Sequence, residues 1–157
     1  MEIIEQTPMK FIARLKAHDG LMNALRRSIN EVQVLAIDEV EIFKNDSALY
    51  DEFLAHRIGL VPLKTESSMK DKTEIELKIS VVGPKMVVAG DLKGNADIVY
   101  PSIPLTLLEK DQEVELIATA RLGKGVDHEK YSPGICYYRY LSLVSSKNPH
   151  VLKIAEH

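Results

Sequence analysis

A regular alternation of apolar and polar residues in two segments restricts the fold of this chain more than any other feature. Residues 74–82 place an apolar side chain at every second position, and residues 113–122 repeat the pattern. Successive side chains of a β-strand point to opposite sides, so this period of two predicts strands with one buried face. Similar patterns predict further strands at residues 10–17, 33–44 and 135–144.

Two helices are predicted near the start of the chain, at residues 21–32 and 48–58. The first of them is amphipathic at 100° per residue. Its apolar side contains Leu21, Met22, Ala24, Leu25, Ser28, Ile29 and Val32, and the opposite side carries Asn23, Arg26, Arg27, Asn30 and Glu31. We expect the side with Leu25 to be buried against the strands that contain Phe11 and Val40.

Helices near the front and strands elsewhere are typical of an α+β fold, because alternating βαβ units would distribute helices between the strands. Gly83 and Pro84 predict a turn that joins residues 74–82 and 85–89 in a hairpin. Cys136 falls inside the predicted strand at 135–144, so we expect a buried and inert thiol there.

The cysteine content and the charge of the chain limit its functions. One cysteine in 157 residues excludes an internal disulfide and a metal or iron–sulfur site built from several cysteines. A formal net charge of −3 argues against a broad electrostatic contact with DNA, so we expect protein partners and no sequence-specific nucleic-acid contact. No apolar run approaches the roughly 20 residues of a membrane helix. We therefore expect a cytoplasmic protein with no membrane partner.

The loop at residues 123–134 is the segment that most resembles an enzyme site. It has glycines at both ends and carries the donors Lys124, His128 and Lys130. A phosphate loop would need a Gly-Lys-Ser/Thr ending and a following helix, and both are missing. The histidines have no metal-ligand spacing, and we predict no catalytic residue, metal or cofactor. A small enzyme or binding module that holds an anionic ligand on this loop remains the alternative function.

Three motifs resemble one known family. NALRR at residues 23–27, the acidic strand IDEVEI at 37–42, and HRIGLVPL at 56–63 are similar to the assembly subunit of cellular RNA polymerases. Its bacterial form is the alpha subunit, its archaeal form is the D-type subunit, and its eukaryotic form is the third-largest subunit. The motif at 56–63 resembles the archaeal and eukaryotic proteins, and the similarity runs from about residue 11 to residue 140.

The resemblance implies two domains and a scaffolding function. A dimerisation domain would take residues 1–47 and 144–157, and a β-rich insert domain would take residues 48–143. The protein would be a non-catalytic part of DNA-directed RNA polymerase, a nucleotidyltransferase complex whose large subunits carry the chemistry. It would pair with a small L-type subunit and dock on the second-largest subunit.

The resemblance also implies which residues touch partners. Interface residues would be Asn23, Arg26, Arg27 and Asn30 on the first helix, and Lys124, His128 and Lys130 on the loop. A solvated helix surface and an exposed loop are the alternatives for the two groups. The family's dimerisation domain normally continues with a further strand and a long helix, so we expect a fragment or a divergent short form.

Overall fold

The structure, a computed structural model, describes residues 1–66, 68–70 and 73–141. Eight strands and two helices form within these residues, which confirms the predicted α+β class. The chain divides into two compact units, one of Met1–Arg26 with the residues from Cys136 onward, and one of Arg27–Ile135. The predicted C-terminal part of the dimerisation domain, 144–157, lies outside the described residues.

The smaller unit begins with an antiparallel pair of strands, β1 (Glu2–Thr7) and β2 (Lys10–Arg14). Glu2 pairs with Arg14 at one end of this hairpin and Thr7 with Lys10 at the other. The prediction of a strand from residue 10 is confirmed for β2, whereas β1 was not predicted from the sequence. Ion pairs at 2.7 Å (Lys10–Glu5) and 3.1 Å (Arg14–Glu2) link the two strands.

The first helix, α1 (Asp19–Ser28), continues into a short 3-10 turn at Ile29–Glu31. A helix was predicted here, but its predicted burial is wrong for this chain. No residue of α1 is buried, and the side chains of Leu21 and Leu25 are 48% and 47% exposed. Phe11 on β2 is itself 58% exposed, so the apolar side of α1 is not buried against this residue.

The segment after the larger unit also differs from its prediction. Residues 135–141 form no strand, and Ile135 and Tyr137 are 93% and 80% exposed. Cys136 is exposed, so the predicted buried thiol is wrong as well. An alternating sequence forms a strand only where a neighbouring strand supplies hydrogen-bond partners for its backbone. The last part of the predicted strand, residues 142–144, lies outside the described residues.

The larger unit is built on a four-stranded antiparallel sheet. Its strands are β3 (Gln33–Asn45), β4 (Glu74–Val82), β6 (Lys93–Gly94) and β8 (Glu113–Lys124), in the order β3-β8-β4-β6. A second sheet pairs β5 (Lys85–Val88) with β7 (Pro104–Leu108). Between β3 and β4 lies the second helix, α2 (Asp51–Gly59).

The predicted hairpin of β4 with β5 is wrong, because β5 pairs with β7 instead. At the turn, the Gly83 amide donates to the Gln112 carbonyl at 2.8 Å, which ties the turn to the loop before β8. A Cβ atom at Gly83 would collide with the carbonyl oxygen of Glu109. The close approach of these two loops directs the chain from one sheet into the other.

The core lies between the β3-β8-β4 sheet, α2 and the second sheet. Most of the predicted inward residues of the two alternating segments are buried, and Leu77, Ile79, Leu116 and Ala118 are at most 1% exposed. Ile75, Val81 and Leu122 are partly buried and pack against the same core. The helix α2 contributes Leu54 and Ile58 to the same cluster. Alternation therefore predicted the buried face of the sheet correctly.

Candidate functional site

The outer side of α1 carries three of the predicted interface residues. Asn23, Arg26 and Arg27 are all exposed, as the helical spacing predicts. Arg26 Nη2 donates to Asn23 Oδ1 at 2.9 Å, so these two side chains lie together. Among the described residues neither arginine forms an ion pair with a carboxylate. Both arginines are exposed, and a guanidinium group suits a carboxylate or carbonyl acceptor.

Asn30 occupies a different place from the other three. It lies in the 3-10 turn after α1 and is partly buried. Its carbonyl oxygen accepts from the Val126 amide at 3.3 Å, and its Oδ1 accepts from Ser132 Oγ at 3.5 Å. Its side chain also lies beside Gly125, where a Cβ atom would approach it to 3.1 Å. Asn30 therefore connects the turn to the loop at 123–134.

The loop predicted at 123–134 contains regular secondary structure. Strand β8 extends to Lys124, and a 3-10 turn forms at Glu129–Tyr131. Lys124 Nζ lies 3.1 Å from Glu31 Oε2. The His128 Nδ1 atom accepts from the Lys130 amide at 3.1 Å, so a neutral His128 carries its proton on Nε2.

Lys130 points inward, unlike the other two donors of the loop. Its side chain is only 14% exposed, and Nζ lies 2.8 Å from Asp38 Oδ1. The Tyr131 hydroxyl donates to the same carboxylate oxygen at 3.0 Å. On the other oxygen of Asp38, Arg121 Nη1 lies at 3.3 Å. Sequence reasoning missed Asp38, Arg121 and Tyr131, because they are brought together only by the fold.

The environment of Asp38 favours its charged form. The hydrogen bond from Lys130, followed by that from Tyr131, lowers the pKa of Asp38 below its usual value despite partial burial. Burial, together with the bond to Asp38, raises the pKa of Tyr131 to about 12. Tyr131 therefore remains a neutral donor and Asp38 a charged acceptor at physiological pH.

Arg121 joins Asp38 to two further carboxylates. Its Nη1 lies 2.9 Å from Glu39 Oε1, and its Nε lies 2.9 Å from Glu74 Oε1. These bonds raise the pKa of Arg121. Since Glu74 is the cross-strand neighbour of Arg121 on β4, the guanidinium spans all three long strands of the sheet. The alternating acidic residues of 37–42 are the sequence feature that points to this network, although the sequence does not show which cation they face.

A cavity of about 240 Å³ lies between β3, α2 and the loop. Its walls are formed by Ile37, Asp38, Val40, Ala55, His56, Gly59, Leu60, His128 and Lys130. If the loop held an anionic ligand as part of an enzyme site, Lys124 and His128 would line the same pocket. Lys124 does not belong to the walls of this cavity. Lys130, the cation that does line the cavity, is already paired with Asp38.

The motif at residues 56–63 contributes three residues to the core. Ile58, Val61 and Leu63 are buried, and Arg57 Nη2 donates to the Pro104 carbonyl at 2.6 Å, which ties α2 to β7. Within the described residues, no three metal-binding side chains gather at one place. The same residues include no helix with the length and apolar character needed to cross a membrane.

Comparison with known proteins assigns the larger unit. The family described as RNA polymerase Rpb3/RpoA insert domain matches residues 28–134. The match coincides within one residue at each end with the compact unit Arg27–Ile135. This chain belongs to the Rpb3/RpoA insert-domain family. The predicted resemblance to polymerase assembly subunits is thus confirmed at the level of the family, while the division of the chain after residue 47 stays a prediction.

Several curated proteins similar to this chain have the name DNA-directed RNA polymerase subunit Rpo3. The protein of Thermococcus kodakarensis is 44% identical over 156 residues, covering 91% of this chain and 60% of the relative. Those of Pyrococcus furiosus and Pyrobaculum islandicum are 39% and 38% identical, covering 92% and 88% of this chain and 60% of each relative. The chain spans about 60% of the length of these relatives.

Proposed function

We propose that this chain acts as a non-catalytic assembly subunit of DNA-directed RNA polymerase, of the archaeal D type. The observation that carries the proposal is the match of residues 28–134 to the Rpb3/RpoA insert domain. Relatives named Rpo3 extend the similarity to about nine-tenths of the chain. The proposed location is the cytoplasm, where the chain would support transcription as a scaffold.

A small L-type subunit is the proposed partner of the smaller unit. Support comes from apolar side chains that this unit leaves in contact with solvent: Phe11, Leu21 and Leu25 are each about half exposed. Burying such surface is the main favourable contribution to stable heterodimers. The proposed dimerisation domain comprises residues 1–47 and 144–157.

The second-largest polymerase subunit is the proposed partner of the α1 outer side and of the loop. Arg26 and Arg27 supply exposed guanidinium groups, and arginine is enriched at the energetically important centres of interfaces. Lys124 and His128 would add donors from the loop. The enzyme alternative has less support, because Lys124 does not line the cavity and Lys130 is paired with Asp38.

Reconstitution with purified large polymerase subunits tests the docking proposal. Arg26→Ala and Arg27→Ala are compared with wild type and with Lys78→Ala, an exposed cation on β4 as the control. We expect each arginine variant to weaken capture of the second-largest subunit by about thirtyfold, which corresponds to about 2 kcal/mol. Stability should change by no more than about 0.5 kcal/mol, because these are surface positions.

The two outcomes of this reconstitution are distinct. Weaker capture by folded arginine variants, with normal capture by Lys78→Ala, supports an interface on α1. Capture equal to that of the control would mean that the arginines belong to a solvated helix surface. An Arg27→Lys variant adds a check on geometry, since lysine cannot reproduce a two-pronged contact with a carboxylate.

A further inference from the structure

Asp38 lies at an irregularity of β3, where the regular pairing of β3 with β8 is interrupted. Ile37 pairs with Ala120 and Glu39 with Thr119, so Asp38 is the additional residue of a β-bulge. Bulges redirect the side chain of the extra residue and often lie beside functional segments. Here the redirected carboxylate meets the loop that follows β8.

We propose that Asp38 is a positioning residue that holds the 123–134 loop in the shape in which it docks on a partner. The inference rests on the proposed function of the loop as a docking segment. Two loop side chains end on Asp38: Lys130 at 2.8 Å and the Tyr131 hydroxyl at 3.0 Å. Bonds to a charged acceptor are stronger than those between neutral groups, so both contribute to closing the loop.

Packing around Tyr131 adds to the same closure. Tyr131 is 7% exposed, and its ring lies over Gly123, where a Cβ atom would come within 2.5 Å of the ring. The loop is also closed on itself, since the Asp127 amide donates to the Lys124 carbonyl at 2.9 Å. Asn30 adds two further hydrogen bonds to the loop, from the Val126 amide and the Ser132 hydroxyl.

This arrangement separates the anchor of the loop from its exposed crest. Lys130 and Tyr131 are directed to Asp38, whereas residues 126–129 are exposed. Val126 is 63% exposed, and His128 can offer Nε2–H because its Nδ1 already accepts a hydrogen bond. The crest that meets the partner therefore consists of Val126 and His128 with their neighbours, and Lys130 acts through the shape of the loop.

Amide hydrogen exchange on the full chain tests the anchor. Asp38→Ala removes the acceptor, and Tyr131→Phe removes one hydroxyl while it keeps the ring on Gly123. The control is Glu39→Ala, the adjacent carboxylate, which bonds Arg121 instead of a loop residue. We expect the amides of Val126, Asp127 and Tyr131 to exchange about tenfold faster in Asp38→Ala, because local opening becomes easier. The amides of β4 should keep their wild-type rates.

The outcomes distinguish the anchor from the docking function. Faster loop exchange in Asp38→Ala and Tyr131→Phe, with wild-type exchange in Glu39→Ala, supports the anchor. Wild-type loop exchange in folded Asp38→Ala and Tyr131→Phe overturns it. In parallel, the association rate with the second-largest subunit should fall in the two anchor variants. If exchange rises while association remains unchanged, the loop does not dock and that part of the proposed function fails.

Discussion

The two compact units place equally regular apolar patterns in very different surroundings. In the larger unit, Leu77 and Leu116 are at most 1% exposed, because α2 and a second sheet cover the sheet that carries them. In the smaller unit, Phe11 and Leu25 are 58% and 47% exposed. A period of two or of 3.6 residues specifies which side of an element is apolar. Burial requires a second layer, which the larger unit supplies and the described residues of the smaller unit do not.

The units also differ in the exposure of their ion pairs. Ion pairs of the hairpin β1–β2, such as Lys10–Glu5, lie between side chains that are 58% and 39% exposed. The pair of Asp38 with Lys130 is partly buried and belongs to a network that includes Arg121. Since a hairpin of two strands is marginally stable in water, the smaller unit should depend more on a partner.

The largest expected contrast comes from shortening one leucine in each unit. Leu116→Ala should lower the free energy of unfolding by about 2–5 kcal/mol, because a fully buried side chain leaves a cavity. Leu25→Ala in the isolated chain should change it by no more than about 0.5 kcal/mol, as at other surface positions. Denaturant unfolding of both variants measures the two effects. Equal losses would show that α1 is covered in solution and would remove the contrast.

Adding one methyl group to a glycine in each unit should give the next largest contrast. Gly123→Ala places a Cβ against the ring of Tyr131, and such overpacking costs typically about 1–3 kcal/mol. Gly20→Ala lies in the exposed first turn of α1, where alanine is favoured over glycine by about 0.5–1 kcal/mol. A Cβ there would come within 3.2 Å of the ring of His18, an exposed side chain that can move aside. Thermal unfolding should therefore shift in opposite directions. A stabilised Gly123→Ala would mean that Tyr131 does not rest on β8.

Acid should weaken the Asp38 anchor of the larger unit in a defined pH range. The pKa of Asp38 is lowered in the folded chain, so its stabilising effect is complete above the ordinary aspartate value of about 4. The effect is then lost as the pH falls through the lowered pKa. We expect the stability difference between wild type and Asp38→Ala to be constant from pH 7 to pH 5 and to shrink below about pH 4. A difference that shrinks already near pH 6 would contradict the lowered pKa.

The smallest contrast concerns single ion pairs. A double-mutant cycle on Lys10 and Glu5 should give a coupling of at most about 1 kcal/mol, as for other exposed pairs. The corresponding cycle on Lys130 and Asp38 should give a larger coupling, because the Lys130 side chain is 14% exposed and shares its acceptor with Tyr131. High salt should reduce the first coupling more than the second. Equal couplings would remove any special role for the network.

Local structure of the larger unit was largely predictable from the sequence. The predicted strand at residues 74–82 forms with the same bounds, Glu74–Val82, and the inward residues of β8 are those that the alternation predicts. Both helices form within a few residues of their predicted positions: α1 spans Asp19–Ser28 and α2 spans Asp51–Gly59. These features depend on interactions between residues close in sequence, which is why periodicity can reveal them.

Which distant segments of the chain contact each other was not predictable in the same way. The sequence wrongly predicts that β5 pairs with β4, and the strand predicted at 135–144 does not form in the described residues. The candidate site shows the same difference: its donors Lys124, His128 and Lys130 were identified, whereas the acceptor Asp38 was not. Asp38 lies 92 residues from Lys130 in the chain, and no local pattern records such a contact.

By itself, the sequence determined the α+β class, the apolar side of the two regularly alternating strands β4 and β8, and the resemblance to a polymerase subunit family. Tertiary structure decided which apolar sides are covered, which strands pair, and which charged residue of the loop points inward. The physical reason lies in the range of the interactions. Side-chain periodicity follows from backbone geometry over a few residues, while burial and ion pairing depend on which distant segments the folded chain brings into contact.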